Sequence, residues 1–141
     1  MAELLIGRLG WDHLRISTAA DCLRTYEFKA DVEIRCGVWR GKYEATFECG
    51  ELRSFASELR DFGRNLSGSV SFETSIEQAL AMTFKGDGRG HVWLEGVAQE
   101  RSYNGPKLIF QFNMDQTALP EIINALEALD PPAKTTPQTA T

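Results

Sequence analysis

Histidine and cysteine are scarce in this chain. There are two histidines, His13 and His91, and three cysteines, Cys22, Cys36 and Cys49. None of them falls in a CxxC, HxxxH or HExxH spacing, so no metal site and no cofactor are expected. An odd number of widely spaced thiols speaks for reduced cysteines and a cytoplasmic setting rather than a disulfide framework. No run approaches the ~18 apolar residues of a membrane span. The opening MAELLIGRLG lacks a basic start, a long apolar run and a small-residue cleavage site, so no secretory leader is expected. Cations are the minority, 15 Lys and Arg against 20 Asp and Glu, for a net charge of -5. Phosphate binding needs clustered Lys and Arg, so the balance points away from nucleic acid and is compatible with a basic protein partner.

What is present suits one globular domain. A chain of 141 residues can bury roughly 68–70% of its unfolded surface, enough for a core without staples. The reading is a single α+β domain over 1–130. A tail over 131–141, PPAKTTPQTAT, lacks large apolar residues and is expected to be disordered. The element that organises the domain is ELRSFASELRDFGRNL, a helix predicted over 51–66. Leu52, Phe55, Leu59, Phe62 and Leu66 recur in steps of three and four and share one face. A second helix is predicted over about 118–129, with Thr117 as its cap, Pro120 in its first turn, and Leu119, Ile122, Ile123, Leu126 and Leu129 on its apolar face.

Around these helices run strand patterns with a period of two. Tyr26–Cys36 alternates Phe28, Ala30, Val32, Ile34 and Cys36 with charged residues. Trp39–Cys49 does the same with Trp39, Gly41, Tyr43, Ala45, Phe47 and Cys49. Gly37-Val38 lies where a tight hairpin turn belongs. Pairing about it places Cys49 opposite Phe28, about 26 Å from Cys36 at ~3.3 Å per residue. Shorter runs predict strands at 3–9 and 13–17, and later at 69–74, 79–85, 91–99 and 107–114. The fold expected is therefore a curved, mainly antiparallel sheet of about six to eight strands packed on the central helix. The later strands also carry apolar residues on their second face, Trp93, Val97 and Ile109, for which cover within the chain is expected.

Chemistry-bearing motifs are few. GDGRG at 86–90 resembles a phosphate loop only superficially. It lacks the Lys-Ser/Thr pair and the following helix, and it sits between strands, so it reads as a hairpin turn. Carboxylate pairs such as Asp31 with Glu33 or Glu44 with Glu48 face outward among Lys and Arg and read as solvated charge ladders, so no catalytic residue is assigned. The candidate partner-binding residues are the acidic outer face Glu27, Asp31, Glu33, Glu44 and Glu48, together with His91, Trp93 and Glu95. Trp93 is an outward aromatic of the type enriched at interface hot spots.

The order of elements resembles a bacterial family of small proteins similar to the WapI-type immunity proteins. The residues that carry this are the early hairpin followed by Leu52-x-x-Phe55-x-x-x-Leu59, the run Gly88-Arg89-Gly90-His91-Val92, and Phe110-x-Phe112-x-x-Asp115-x-Thr117-x-Leu119. The resemblance spans about Tyr26 to Leu129. It implies a non-enzymatic protein that binds a cognate toxin, with no membrane or nucleic-acid partner, as a monomer or homodimer. Two other readings stand beside it: a small-molecule-binding protein or enzyme with a pocket between sheet and helices, and a structural homodimer through the Trp93, Val97 and Ile109 face.

Overall fold

The computed structural model describes residues 2–8, 10–18, 26–76, 79–100 and 105–130. Eight strands and two helices form an α+β architecture. Strands β1 (Ala2–Gly7), β2 (His13–Thr18), β3 (Glu27–Cys36) and β4 (Trp39–Glu48) make one antiparallel sheet in sequence order. Helix α1 (Glu51–Phe62) follows. Strands β5 (Ser67–Glu73), β6 (Leu80–Asp87), β7 (His91–Gln99) and β8 (Lys107–Asp115) make a second sheet, and α2 (Leu119–Leu129) ends the fold. The strands thus divide between two four-stranded sheets.

Alternation dictates which residues go inside. Leu4, Ile6, Leu14, Ile16, Phe28, Ala30, Val32 and Ile34 are buried from the first sheet, and Phe72, Leu80, Met82, Phe84, Val92, Leu94, Phe110 and Phe112 from the second. The joint between them is β4, which runs across one end of the second sheet. Phe47 stacks on Phe72 of β5 with centroids 6.3 Å apart. Tyr43 Oη donates to the Ala79 carbonyl beside β6 at 2.7 Å. Gly41 lies against Leu108 of β8. Meeting β5, β6 and β8 in turn along one strand is the sign of near-orthogonal packing. Trp39, read as inward-facing, falls beyond that crossing and is 68% exposed. The helices close the remaining side, α2 against α1 and β1, and α1 against β5.

Helix α1 buries Leu52, Phe55, Ala56, Leu59 and Phe62. Each large side chain of this kind contributes roughly 1.5–3 kcal/mol when fully buried. The helix stops at Phe62, four residues before the expected end. Leu66 takes a left-handed conformation with φ 55°, its N–H bonded to the Phe62 carbonyl and its own carbonyl to the Gly88 N–H. That turn docks on the β6–β7 hairpin, and a helix continued to residue 66 would have to leave it. At the other helix, the Asp115 carboxylate accepts from the Thr117 N–H at 3.0 Å and caps a 3-10 turn over Gln116–Ala118. The capping role is therefore Asp115's, not Thr117's.

Three further expectations are corrected. The hairpin register sets Phe28 opposite Phe47, two residues from the pairing read in the sequence, because Gly37-Val38 is a two-residue connection between Cys36 and Trp39. Cys49 instead donates its N–H to the Tyr26 carbonyl, and Tyr26 is an exposed left-handed residue outside the strand. Cys49 is disulfide-bonded, whereas Cys36 is a free, half-buried thiol, so the reading of three reduced cysteines does not hold. In the second sheet, Gly96 is required by close approach. A Cβ there would stand 2.2 Å from Phe110 Cζ, so the ring of β8 lies over the bare backbone of β7. The proposed tail over 131–141 and the start of the Tyr103–Pro106 turn lie outside the described residues.

Candidate partner-binding surfaces

The predicted site residues fall on the outer faces of two different sheets. Glu27, Asp31, Glu33, Glu44 and Glu48 share the outer face of β3 and β4. There the register sets like charges directly opposite one another: Glu27 against Glu48, and Asp31 against Glu44. Such pairs destabilise a sheet, where opposite charges would contribute roughly 0.2–1 kcal/mol. A diagonal contact from Lys29 Nζ to Glu44 Oε1, at 3.9 Å, partly offsets the second pair.

Towards the hairpin turn the sign reverses. Arg35 stands opposite Arg40, and Lys42 opposite Glu33. Glu33 belongs to this basic end, with Oε1 3.3 Å from Arg15 Nη2 and 3.9 Å from His13 Nε2. It is thereby separated from the other four carboxylates. Eight strand steps, about 26 Å, lie between the level of Glu27 and that of Arg35.

The acidic end turns a corner that sequence reading missed. Glu51 Oε2 accepts from the Glu48 N–H at 2.6 Å, and its Oε1 from the Ser75 N–H at 3.1 Å. Ser75 Oγ reaches Glu48 Oε1 at 3.3 Å. Burial raises the Glu51 carboxyl above its ordinary range, the two backbone N–H groups partly offset this, and the Glu48 charge adds to the rise. An open groove of about 470 Å³ at this corner is lined by Glu48, Glu51, Glu58 and Glu73. These carboxylates come from β4, α1 and β5, and only the tertiary fold brings them together.

Asp130 sets the geometry of the corner. Gly50, at φ 97°, precedes α1 and offers no side chain to cap it. The fully buried Asp130 carboxylate, one residue past α2, accepts from the Gly50 N–H at 2.8 and 2.9 Å and from the Arg53 N–H at 3.0 Å. The Arg53 guanidinium returns a bond to the Asp130 carbonyl at 2.7 Å. One helix end thus supplies the anion that the next helix needs at its positive pole.

His91, Trp93 and Glu95 do come together, on the outer face of β7. The His91 and Trp93 rings lie 5.2 Å apart. Trp93 Nε1 donates to Glu95 Oε2 at 3.0 Å, and Lys85 Nζ pairs with Glu95 Oε1 at 3.0 Å. The Trp93 N–H, then Lys85, hold the Glu95 carboxyl below its ordinary range. The expected cover over this face is not there: Ile109 is 76% exposed, and Trp93 and Val97 are half-buried. GDGRG is the β6–β7 hairpin turn, with Asp87 Oδ1 accepting from the Arg89 N–H at 2.8 Å and the His91 N–H at 3.2 Å. Among the described residues, no helix is long and apolar enough to cross a membrane.

The comparison with known families decides the kinship. A family model described as the Immunity protein WapI-like family matches residues 13–129. The chain belongs to the WapI-like immunity protein family. The match runs from the first residue of β2 to the last of α2, so β2 to β8 and both helices of this WapI-like protein fall within the family's extent, while β1 precedes it. No curated protein matches the chain.

Proposed function

We propose that this WapI-like protein is an immunity protein that neutralises a cognate toxin by binding it, without chemistry of its own. The observation that carries the reading is the doubling of carboxylates across β3 and β4, Glu27 with Glu48 and Asp31 with Glu44. This arrangement works against the isolated sheet. A partner presenting Lys and Arg meets this concentration of negative charge, which steers its approach and favours the complex. The groove carboxylates Glu51, Glu58 and Glu73 extend the acidic zone around the corner. Family membership supports a protein partner and a non-enzymatic role.

The test is protection. Toxin domains encoded near this gene, wherever the neighbourhood holds one, are co-expressed with the wild-type protein and with a Glu27→Lys/Glu48→Lys variant. The wild type is expected to restore growth and the variant to lose most of that protection, with binding that weakens as salt rises. A wild type that neither binds nor protects ends the proposal. A second reading, a homodimer through the second sheet, is favoured by the exposure of Ile109 beside Val97. Light scattering at high concentration distinguishes it.

A further inference from the structure

The hairpin-turn end of the first sheet is chemically unlike the rest of this acidic protein. Five large apolar residues are exposed among the described residues, and three of them gather here: Trp11 at 64%, Val38 at 89% and Trp39 at 68%. Scattered apolar residues need no explanation, but a group of them does. Trp11 and Val38 sit in two loops that are tied together, with Asp12 Oδ1 accepting from the Gly37 N–H at 2.8 Å, and Trp39 opens β4 at the rim of the sheet, on the face of Gly41 and Tyr43. The Arg8 guanidinium lies 5.8 Å from the Trp11 ring. Beside them, Arg35 and Arg40 oppose each other across the strands, and Lys42 follows. None of these three cations has a carboxylate within 4.0 Å among the described residues.

A further observation marks the same place. His13 is only 6% exposed, and its Nε2 has no hydrogen-bond partner among the described residues. It lines a shallow pocket of about 260 Å³ with Glu33, Arg35, Arg40 and Lys42, and Glu33 Oε1 stands 3.9 Å from Nε2, beyond hydrogen-bond reach. A buried polar atom left unsatisfied is costly and rare. A carboxylate entering that pocket meets three cations and the unsatisfied His13 Nε2, against one carboxylate, Glu33, that Arg15 already pairs.

Size gives the link to the acidic end. Four strands at ~4.8 Å spacing and ten residues at ~3.3 Å bound the outer face at roughly 600 Å². A stable complex covers about 800 Å² on each partner. The acidic half of this face alone is too small, and a footprint that spreads from it along the sheet, rather than only round the corner to Glu58 and Glu73, reaches Arg35 and Arg40.

We infer that Trp11, Val38 and Trp39, with Arg35, Arg40 and Lys42, form the second half of the docking surface and take an acidic, apolar-recessed region of the same protein partner. This rests on the immunity reading. The partner's surface is therefore two-signed, basic against Glu27 and Glu48 and acidic against Arg35 and Arg40, which fixes its orientation. Trp and Arg are the residue types that most often dominate interface energetics.

The test is isothermal titration of the full-length protein with an inactivated form of the toxin domain encoded beside the gene. Trp11→Ala and Trp39→Ala are each expected to weaken binding about tenfold, and Arg35→Glu/Arg40→Glu about a hundredfold. Arg35→Lys/Arg40→Lys is expected to lose less binding than the reversal variant, since the charge is retained and only the planar guanidinium fork is lost. Circular dichroism confirms folding, and Arg35→Gln/Arg40→Gln, expected to lose at least tenfold, replaces the reversal variant if that one unfolds. Trp11→Ala, Trp39→Ala and charge-reversed or charge-neutralised Arg35/Arg40 variants that all bind within about twofold of a tightly binding wild type overturn this inference and leave the immunity reading standing. A wild type that does not bind overturns both. If anionic vesicles or duplex RNA bind the wild type, and the Arg35→Glu/Arg40→Glu protein loses that binding while keeping the toxin, the assignment to a protein partner is overturned.

Discussion

The two outer sheet faces are built from the same alternation and treat their charges in opposite ways. On the second sheet Lys85 pairs with Glu95, Glu95 also takes the Trp93 N–H, and Ser71 meets Thr83 at 3.0 Å. Polar groups there largely satisfy one another. On the first sheet Glu27 faces Glu48, Asp31 faces Glu44 and Arg35 faces Arg40. That face sets like charges opposite one another, with Lys29 to Glu44 and Arg15 to Glu33 as its ion pairs among the described residues. The difference teaches that counting charged residues on a strand says little, because cross-strand register decides whether they are mutual partners or rivals.

The comparison can be broken at its anchor. The corner that presents Glu48, Glu51, Glu58 and Glu73 depends on Asp130, whereas the second sheet's outer face does not. Asp130→Ala removes a buried carboxylate that serves the N–H groups of Gly50 and Arg53. Bonds to a buried charge of this kind are worth about 1.5–3 kcal/mol each, and the loss expected is about 2–3 kcal/mol of stability in a denaturant melt. A loss under about 0.5 kcal/mol, the range of ordinary surface substitutions, would mean the corner holds itself without Asp130.

A smaller effect sharpens the contrast between the faces. Asp31→Lys turns a like-charge pair with Glu44 into an opposite pair, so stability is expected to rise by about 0.5 kcal/mol while partner binding weakens. Glu95→Gln on the second sheet is expected to do the reverse, lowering stability through Trp93 and Lys85 and leaving binding unchanged. Melting curves and titrations on the same two proteins check both halves. Stability and binding that move in the same direction at Asp31 would count against the reading of that face.

The smallest effect is a pH dependence at the corner. The Glu51 carboxyl is raised in the folded state, chiefly by burial. As pH climbs past the ordinary carboxylate value, the unfolded chain releases this proton while the folded chain retains it. Stability therefore falls with rising pH across that window, and Glu51→Gln flattens the slope. Denaturant melts of the two proteins between about pH 4 and 7 measure it. A wild-type profile that matches the variant's would remove Glu51 as the source.

Much of this architecture is legible in the residues. Alternation from Phe28 to Cys36 and from Gly41 to Phe47 identifies the strands and their inner faces, and the three-four spacing of Leu52, Phe55, Leu59 and Phe62 identifies the helix. The limits have physical causes. Leu66 keeps the helical spacing, yet its contact with Gly88 pulls it into a left-handed turn. Asp130 looks like a helix terminus and acts as the cap of another helix about 80 residues earlier in the chain. Glu58 and Glu73 join Glu48 only because α1 and β5 flank one corner. Of the predicted site residues, the hairpin carboxylates share a face as expected, except that Glu33 belongs with Arg15 and His13. The basic, aromatic end went unread because its apolar members come from two separate hairpins joined by Asp12 and Gly37.

The account's central claim is that the partner docks on the outer face of the first sheet and not on that of the second. Hydrogen–deuterium exchange of this protein, free and bound to the toxin domain encoded beside its gene, tests it most directly. Protection is expected at the β3–β4 hairpin, around Cys36–Glu48, and at the β1–β2 turn around Trp11, with β6 to β8 unchanged. Protection centred on Trp93, Val97 and Ile109, with an unprotected hairpin, would contradict it.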